Sequence, residues 1–283
     1  MTAKWDHGSL NSNGIQIHYY RTGGNKPQVV LNHGALDDGL CWTRVAKALQ
    51  ADYDLIMLDT RGHGRSKSGQ GDYTSQSRAA DVANAIRVLG LDRPVVGGHS
   101  LGADATLHLA ATYPNLTRGI FLEDPPITLP GQPIFEGKLT GNMDPTKLMR
   151  AYMRIIRVLP GFISRPLARI LNSGYPDDDV LPWLESKKRC SMDFLNNLST
   201  CLDFGDGIPT ELFSRIDVPV LLFIGDRDSG SIVSKAVAEK IQATTKDLRI
   251  IHFAGAGHDI HRARFEDYLC ALRDFLAETY PQT

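Results

Sequence analysis

The sequence predicts an α/β protein with a mostly parallel sheet, helices on both faces and a helical insertion late in the chain. Three observations carry that prediction. Short apolar runs rich in Val, Ile and Phe alternate with longer Ala- and Leu-rich stretches of helical spacing. The alternation stops between position 125 and about position 215, where only Pro- and Gly-punctuated helical segments occur, and resumes at Val218-Pro219-Val220-Leu221-Leu222-Phe223. One strand-to-helix junction, Gly97-Gly98-His99-Ser100-Leu101-Gly102-Ala103, fits the G-x-S-x-G pattern, in which a serine sits on a sharp bend.

Taken in order, strands are expected at 15–20, 28–32, 54–59, 94–98, 119–123, 218–224 and 248–253, and helices at 41–50, 75–89, 101–113, 231–243 and 262–279. Pro94-Val95-Val96 reads as a buried strand ahead of the bend, and the Ala- and Leu-rich run from Leu101 to Pro114 reads as the helix behind it. Gly98 and Gly102 suit the bend because a Cβ at either position would meet neighbouring backbone. Within the insertion, helical segments are expected at 145–159 and 181–202. These readings place a core at 1–124 and 216–283 and a cap at 125–215.

The bulk numbers exclude several classes. The 283 residues carry 31 Lys and Arg against 32 Asp and Glu, a formal net charge of -1, so the basic surplus of a nucleic-acid binder is missing. Cys41, Cys190, Cys201 and Cys270 have neither CxxC nor metal-ligand spacing, which predicts reduced thiols and no cysteine metal site. The opening residues Met1 to His7 lack the apolar core of a signal peptide, and no apolar run approaches the roughly 20 residues of a membrane span. A cytoplasmic protein with no nucleic-acid or membrane partner is expected.

Two further motifs stand beside the bend. Asn32-His33-Gly34-Ala35-Leu36 follows a buried strand, and Leu58-Asp59-Thr60-Arg61-Gly62-His63-Gly64-Arg65-Ser66 is similar to a D-x-R-G-x-G-x-S turn. Together the three resemble the α/β-hydrolase superfamily over nearly the whole chain. The resemblance implies an α/β-hydrolase fold: a mostly parallel eight-stranded sheet with helices on both faces and a helical cap inserted after the sixth strand. It also implies a serine hydrolase, since relatives of the dehalogenase and epoxide hydrolase type carry Asp where Ser100 stands.

On this reading Ser100 is the nucleophile, and the N–H groups of Ala35 and Leu101 form the oxyanion hole, where losing one donor typically costs roughly 3 to 4 kcal/mol of transition-state stabilisation. His258, in Gly255-Ala256-Gly257-His258 past the last strand, is the base, because the chain order serine, acid, histidine matches such enzymes. His261 reads as a surface or supporting residue. Two carboxylates compete to orient His258. Asp228 follows the penultimate strand where most relatives keep the acid, but Ser229-Gly230-Ser231-Ile232-Val233-Ser234 departs from their pattern after it. Asp124 ends the strand after the nucleophile helix, stiffened by Pro125 and Pro126, and resembles the acid position of dehalogenase-like and zearalenone-lactonase-like relatives. Asp124 is preferred, with Asp228 the alternative. Glu123 should face the other way. Asp104 and His108 read as a structural pair four apart on one helix, and His99 as packing beneath the bend.

The stretch 148–159 is amphipathic, with Arg150, Arg154 and Arg157 along one face, and suits the roof of an apolar pocket. Trp42 and Trp183 are candidate pocket walls. The expected function is cleavage of a carboxylic ester or lactone of a small hydrophobic molecule through an acyl-enzyme, with no cofactor. Two other readings stay open. One is a carbon-carbon bond hydrolase of the meta-cleavage type, whose substrate carboxylate the cap arginines would suit; the other is a ligand receptor built on a hydrolase scaffold.

Overall fold

A computed structural model describes residues 5–127, 145–197 and 210–281. Strands β1 (Asp6–Ser12) and β2 (Ile15–Arg21) form a hairpin closed by Asn13 and Gly14, both left-handed at φ 50° and 85°, the two-residue turn that matches strand twist. β1 was not among the expected strands. Its sequence is mostly polar and only Leu10 and Ser12 are buried, so it has no apolar period to read.

The remaining strands are β3 (Gln28–Asn32), β4 (Asp54–Leu58), β5 (Val95–His99), β6 (Gly119–Glu123), β7 (Val220–Ile224) and β8 (Leu248–His252). They build one eight-stranded sheet in the order β1-β2-β4-β3-β5-β6-β7-β8. β1 and β2 run antiparallel and every pair from β4–β3 onward is parallel. β4 to β7 are buried along their whole length, which explains their unbroken apolar runs. The core helices α1 (Thr43–Leu49), α2 (Ser75–Val88) and α3 (Leu101–Thr112) lie between strands, with α2 capped by the Thr74 hydroxyl.

Among the described residues of the insertion after β6 are four α-helices: α4 (Pro145–Val158), α5 (Gly161–Leu171), α6 (Asp177–Arg189) and α7 (Met192–Asn196). The expected 181–202 segment divides, because the chain leaves helical geometry at Cys190 and Ser191 caps α7; residues 198–202 lie outside the described ones. The chain then returns through β7, α8 (Lys235–Thr244), β8, the short α9 (Ile260–Ala263) and α10 (Phe265–Thr279). α8 starts four residues later than its sequence suggests, for a reason that belongs to the site.

Charge fastens α6 to the core. Lys47 meets Asp178 at 2.6 Å, Arg44 meets Asp179 at 3.3 Å, Lys187 meets Asp37 at 2.6 Å and Arg189 meets Asp38 at 2.6 Å. Burial alone would raise the Asp37 carboxyl, but Arg262 and Lys187 outweigh it and hold it well below the usual carboxylate range. Lys187→Met leaves Asp37 with Arg262 and the Ser186 hydroxyl and is expected to cost about 2 kcal/mol in urea unfolding at neutral pH. Folding lowers the Asp37 pKa, so this contribution is present above the unfolded value of about 4 and is lost as pH falls below it. Variant and parent should therefore converge in acid.

Candidate active site

Ser100 sits between β5 and α3 with φ 52° and ψ −117°, a conformation that non-glycine residues adopt only when the surroundings impose it. Its N–H donates to the Glu123 carbonyl at 2.9 Å, and its own carbonyl accepts from the Asp104 N–H at 3.0 Å. A Cβ on Gly98 would lie 2.3 Å from Gly102 backbone, and one on Gly102 would lie 2.3 Å from the Asn32 carbonyl oxygen. The bend and the end of β3 are thus pressed together, which brings the 32–36 turn against the serine. Leu36 and Asp124 are also left-handed, at φ 66° and 41°, so strain gathers at the carboxyl ends of the strands, where open α/β sheets bind ligands.

Two buried histidines stiffen the 32–36 turn. His33 accepts the Thr60 N–H at Nε2 (3.0 Å) and donates from Nδ1 to the Gly34 carbonyl (2.7 Å). His63 accepts the Leu36 N–H at Nε2 (3.2 Å), and burial, with the nearby His33, lowers its pKa to about 3. Ala35 is half-buried against a cluster of Leu36, Leu101, Met153 and Phe194. Leu101 opens α3, so its N–H belongs to the first turn, which no intrahelical carbonyl serves.

The His258 Nδ1 lies 2.6 Å from Asp124 Oδ2. Asp124 is fully buried, and its carboxylate accepts the Ser231 hydroxyl at 2.7 Å, the Ile232 N–H at 2.8 Å and the Val233 N–H at 3.0 Å. These donors explain the late start of α8. Residues 231–233 spend their hydrogen-bonding groups on Asp124, and Ser234 caps the helix instead. Asp228 stands apart, exposed on a single 3-10 turn, Arg227–Ser229. The segment that departs from the family pattern after Asp228 is the one that clamps Asp124. Burial disfavours the charged His258 ring, but the hydrogen bond and charge of Asp124, with Asp259 and Glu123 behind, raise its pKa above the ordinary histidine value.

His99 donates from Nε2 to the His258 carbonyl at 3.0 Å, and burial lowers its pKa to about 4. His261 is fully buried and bound to Glu123, so it is not a surface residue. Asp104 pairs with Arg78 and lies 3.4 Å from His108, as a structural group.

The cap meets the site through Met153 and Tyr152 of α4 and Phe194 of α7, which pack with Ala35 and Leu101. The Phe194 ring lies 4.2 Å from His63 and 5.2 Å from Tyr73. Sequence reasoning marked the amphipathic stretch containing Met153 but did not single out these side chains. The two tryptophans are placed elsewhere. Trp42 is fully buried in the core with its ring 4.8 Å from His261, and Trp183 packs within the cap against Ile156, Ala168, Val180 and Leu184. Of the cap arginines, Arg154 is exposed, Arg150 is half-buried, and Arg157 donates to the Cys190 carbonyl. Among the described residues no cluster of His, Cys, Asp and Glu is placed to hold a metal, and no helix is long and apolar enough to cross a membrane.

A family model described as alpha/beta hydrolase fold matches residues 27–262. An N-formylmaleamate deformylase of Pseudomonas putida is 29% identical over 271 residues, covering 95% of this chain and 96% of its own length. A 2-(acetamidomethylene)succinate hydrolase of Mesorhizobium japonicum is 26% identical over 262 residues, covering 90% of each. Among solved structures, an N-formylmaleamic acid deformylase of Pseudomonas putida superimposes with a TM-score of 0.79 at 20% identity, covering 94% of this chain and 100% of that one.

Proposed function

We propose, from the premise that this chain belongs to the α/β-hydrolase fold family, that it is a serine hydrolase acting on a small carboxylate-bearing acyl compound. Ser100 Oγ attacks the acyl carbon while His258 Nε2 takes the hydroxyl proton. The N–H groups of Ala35 and Leu101 receive the oxyanion. The proton passes to the leaving oxygen or nitrogen, the acyl group stays on Ser100, and a water activated by the same histidine then releases it.

The observation that carries this reading is the 2.6 Å contact of His258 Nδ1 with Asp124 Oδ2. A buried carboxylate on Nδ1 fixes the tautomer, leaving Nε2 unprotonated and basic. The raised His258 pKa adds a sign. The base must be neutral to act, so the acid limb of kcat/KM is expected to lie above about pH 6.5.

Substrate class comes from the relatives. N-formylmaleamate and 2-(acetamidomethylene)succinate are both acids carrying an acylated nitrogen, and they support an acidic substrate over a neutral hydrophobic ester. In that respect they favour the acid-bearing substrate of the meta-cleavage reading, and with it an acyl–nitrogen or acyl–oxygen bond next to a carboxylate.

The test is a panel of N-formyl and N-acetyl derivatives of unsaturated acids, their ester and lactone counterparts, a dienoate diketone and neutral p-nitrophenyl esters, with rapid-quench mass spectrometry for an acyl adduct. Turnover of the acid-bearing acyl compounds with an adduct on Ser100 is expected. Turnover confined to neutral esters would remove the carboxylate from the proposal. Preference for the diketone would move the reading to carbon-carbon cleavage, and tight binding without turnover would move it to a receptor.

A further inference from the structure

Glu123 ends β6 and Asp124 follows it in a left-handed conformation, φ 41°, and the two consecutive carboxylates reach different partners. Asp124 reaches the Ser100 side and takes His258. Glu123 turns into the layer beneath, beside His99, its register partner on β5, and Tyr268 and Trp42 complete that layer around His261. It is fully buried there, and a carboxylate in such a place needs strong partners. His261 supplies them: its N–H donates to Glu123 Oε1 at 2.9 Å, and its Nδ1 lies 2.8 and 3.0 Å from the two oxygens.

His261 stands three residues after His258, in the first turn of α9. The turn from 258 to 261 is therefore held at both ends by consecutive carboxylates, Asp124 on His258 and Glu123 on His261. His99 fixes a third point on the same turn through the His258 carbonyl. An apolar layer would hold α9 down with less desolvation cost. What a charged, hydrogen-bonded anchor adds is direction, since it accepts two donors of one residue at fixed angles.

We propose that Glu123 and His261 are a buried positioning pair that sets the orientation of His258 over Ser100. This role rests on the serine-hydrolase reading above. Neither residue touches the reacting atoms; both act through the turn. The charged and titratable groups around that turn include Glu123 at the end of β6 and Asp124 after it, His99 from β5, Asp259, His261 and Arg262 from the turn and α9, Tyr268 from α10 beside Glu123, and Tyr175 and Asp179 from the cap, with Asp37 closing on Arg262 at 2.8 Å. The Glu123 charge is one of the groups that raise the His258 pKa.

The experiment compares Glu123→Gln, His261→Phe and His261→Asn with the parent. Imidazole NMR reads the His258 titration without substrate, steady-state kinetics read kcat and KM per folded molecule, and urea unfolding reads stability. Glu123→Gln keeps the size of the side chain and removes its charge. It is expected to move the His258 titration to lower pH and to lower kcat by roughly 10- to 100-fold, with KM unchanged. His261→Phe keeps the ring packing and should lose kcat similarly. His261→Asn returns a donor near the Nδ1 position and should recover most of that loss.

A loss of stability with kcat and the His258 titration unmoved would overturn the proposal and leave the pair as structure alone. Should Glu123→Gln not fold, the two His261 variants decide the matter, and equal kcat in them overturns it. Failure of the serine-hydrolase reading shows separately, as turnover that survives Ser100→Ala, while the NMR titration still reports on the pair.

Discussion

Ser100→Ala is expected to lower kcat on every substrate by on the order of 10^4- to 10^6-fold, with the fold intact. On the proposed acyl-enzyme route the loss is large because the hydroxyl would be the group covalently acylated, and the neighbouring N–H donors alone would retain only a small residual rate. Stability should barely change in the alanine variant, since alanine inherits the same strained backbone, φ 52° and ψ −117°. Glycine at that position relieves the strain and should raise unfolding stability by about 1 to 3 kcal/mol while being equally inactive. Product formation against time and urea unfolding check the two halves. Wild-type turnover in the alanine variant would mean that His258 activates water directly, and the acyl-enzyme would have to be abandoned.

Asp124→Asn should lower kcat by about 10^4-fold, because an amide opposite Nδ1 no longer fixes the tautomer that leaves Nε2 basic. Asp124→Ala should do at least as much damage and also destabilise the protein. The Ser231 hydroxyl and the Ile232 and Val233 N–H groups all donate to this buried carboxylate, and each buried donor left unsatisfied costs about 1 to 3 kcal/mol. Asp228→Ala changes an exposed turn and should leave kcat near the parent value. Measuring the three side by side decides between the carboxylates, and a larger loss at Asp228 than at Asp124 would refute the assignment.

Much of the fold was legible because the informative signals are local. A short all-apolar run such as Val220–Ile224, bounded by Pro219 and Gly225, reads as a buried strand, and Gly98 and Gly102 mark a bend by what they lack. The position of Asp124 could be weighed from two prolines and a strand end. Its environment could not, because the donors that hold it are 107 to 109 positions away, on residues whose local pattern reads as the start of a helix. His261 shows the same limit. Its sequence neighbourhood is polar, and only the return of α9 beneath β6 puts it against Glu123. Trp42 after the 32–36 turn and Trp183 in the cap are candidate pocket walls by their place in the sequence, whereas Trp42 is fully buried in the core and Trp183 is half-buried against its neighbours in the cap. The hairpin strand β1 was missed for the opposite reason, since its pairing with β2 needs no apolar side chains.

The ion pairs along α6 bear on how this protein can be altered. A roof fastened by charge along one edge is remodelled most safely along the other. The α4 side offers this, since Met153 packs with Ala35 and Leu101 while Ile155 and Val158 are open to solvent. Libraries aimed at new substrates belong on the inner face of α4, where aperture and shape can be varied side chain by side chain. The fastening at Lys187 and Arg189 is best left in place as the framework that holds α6 to the core.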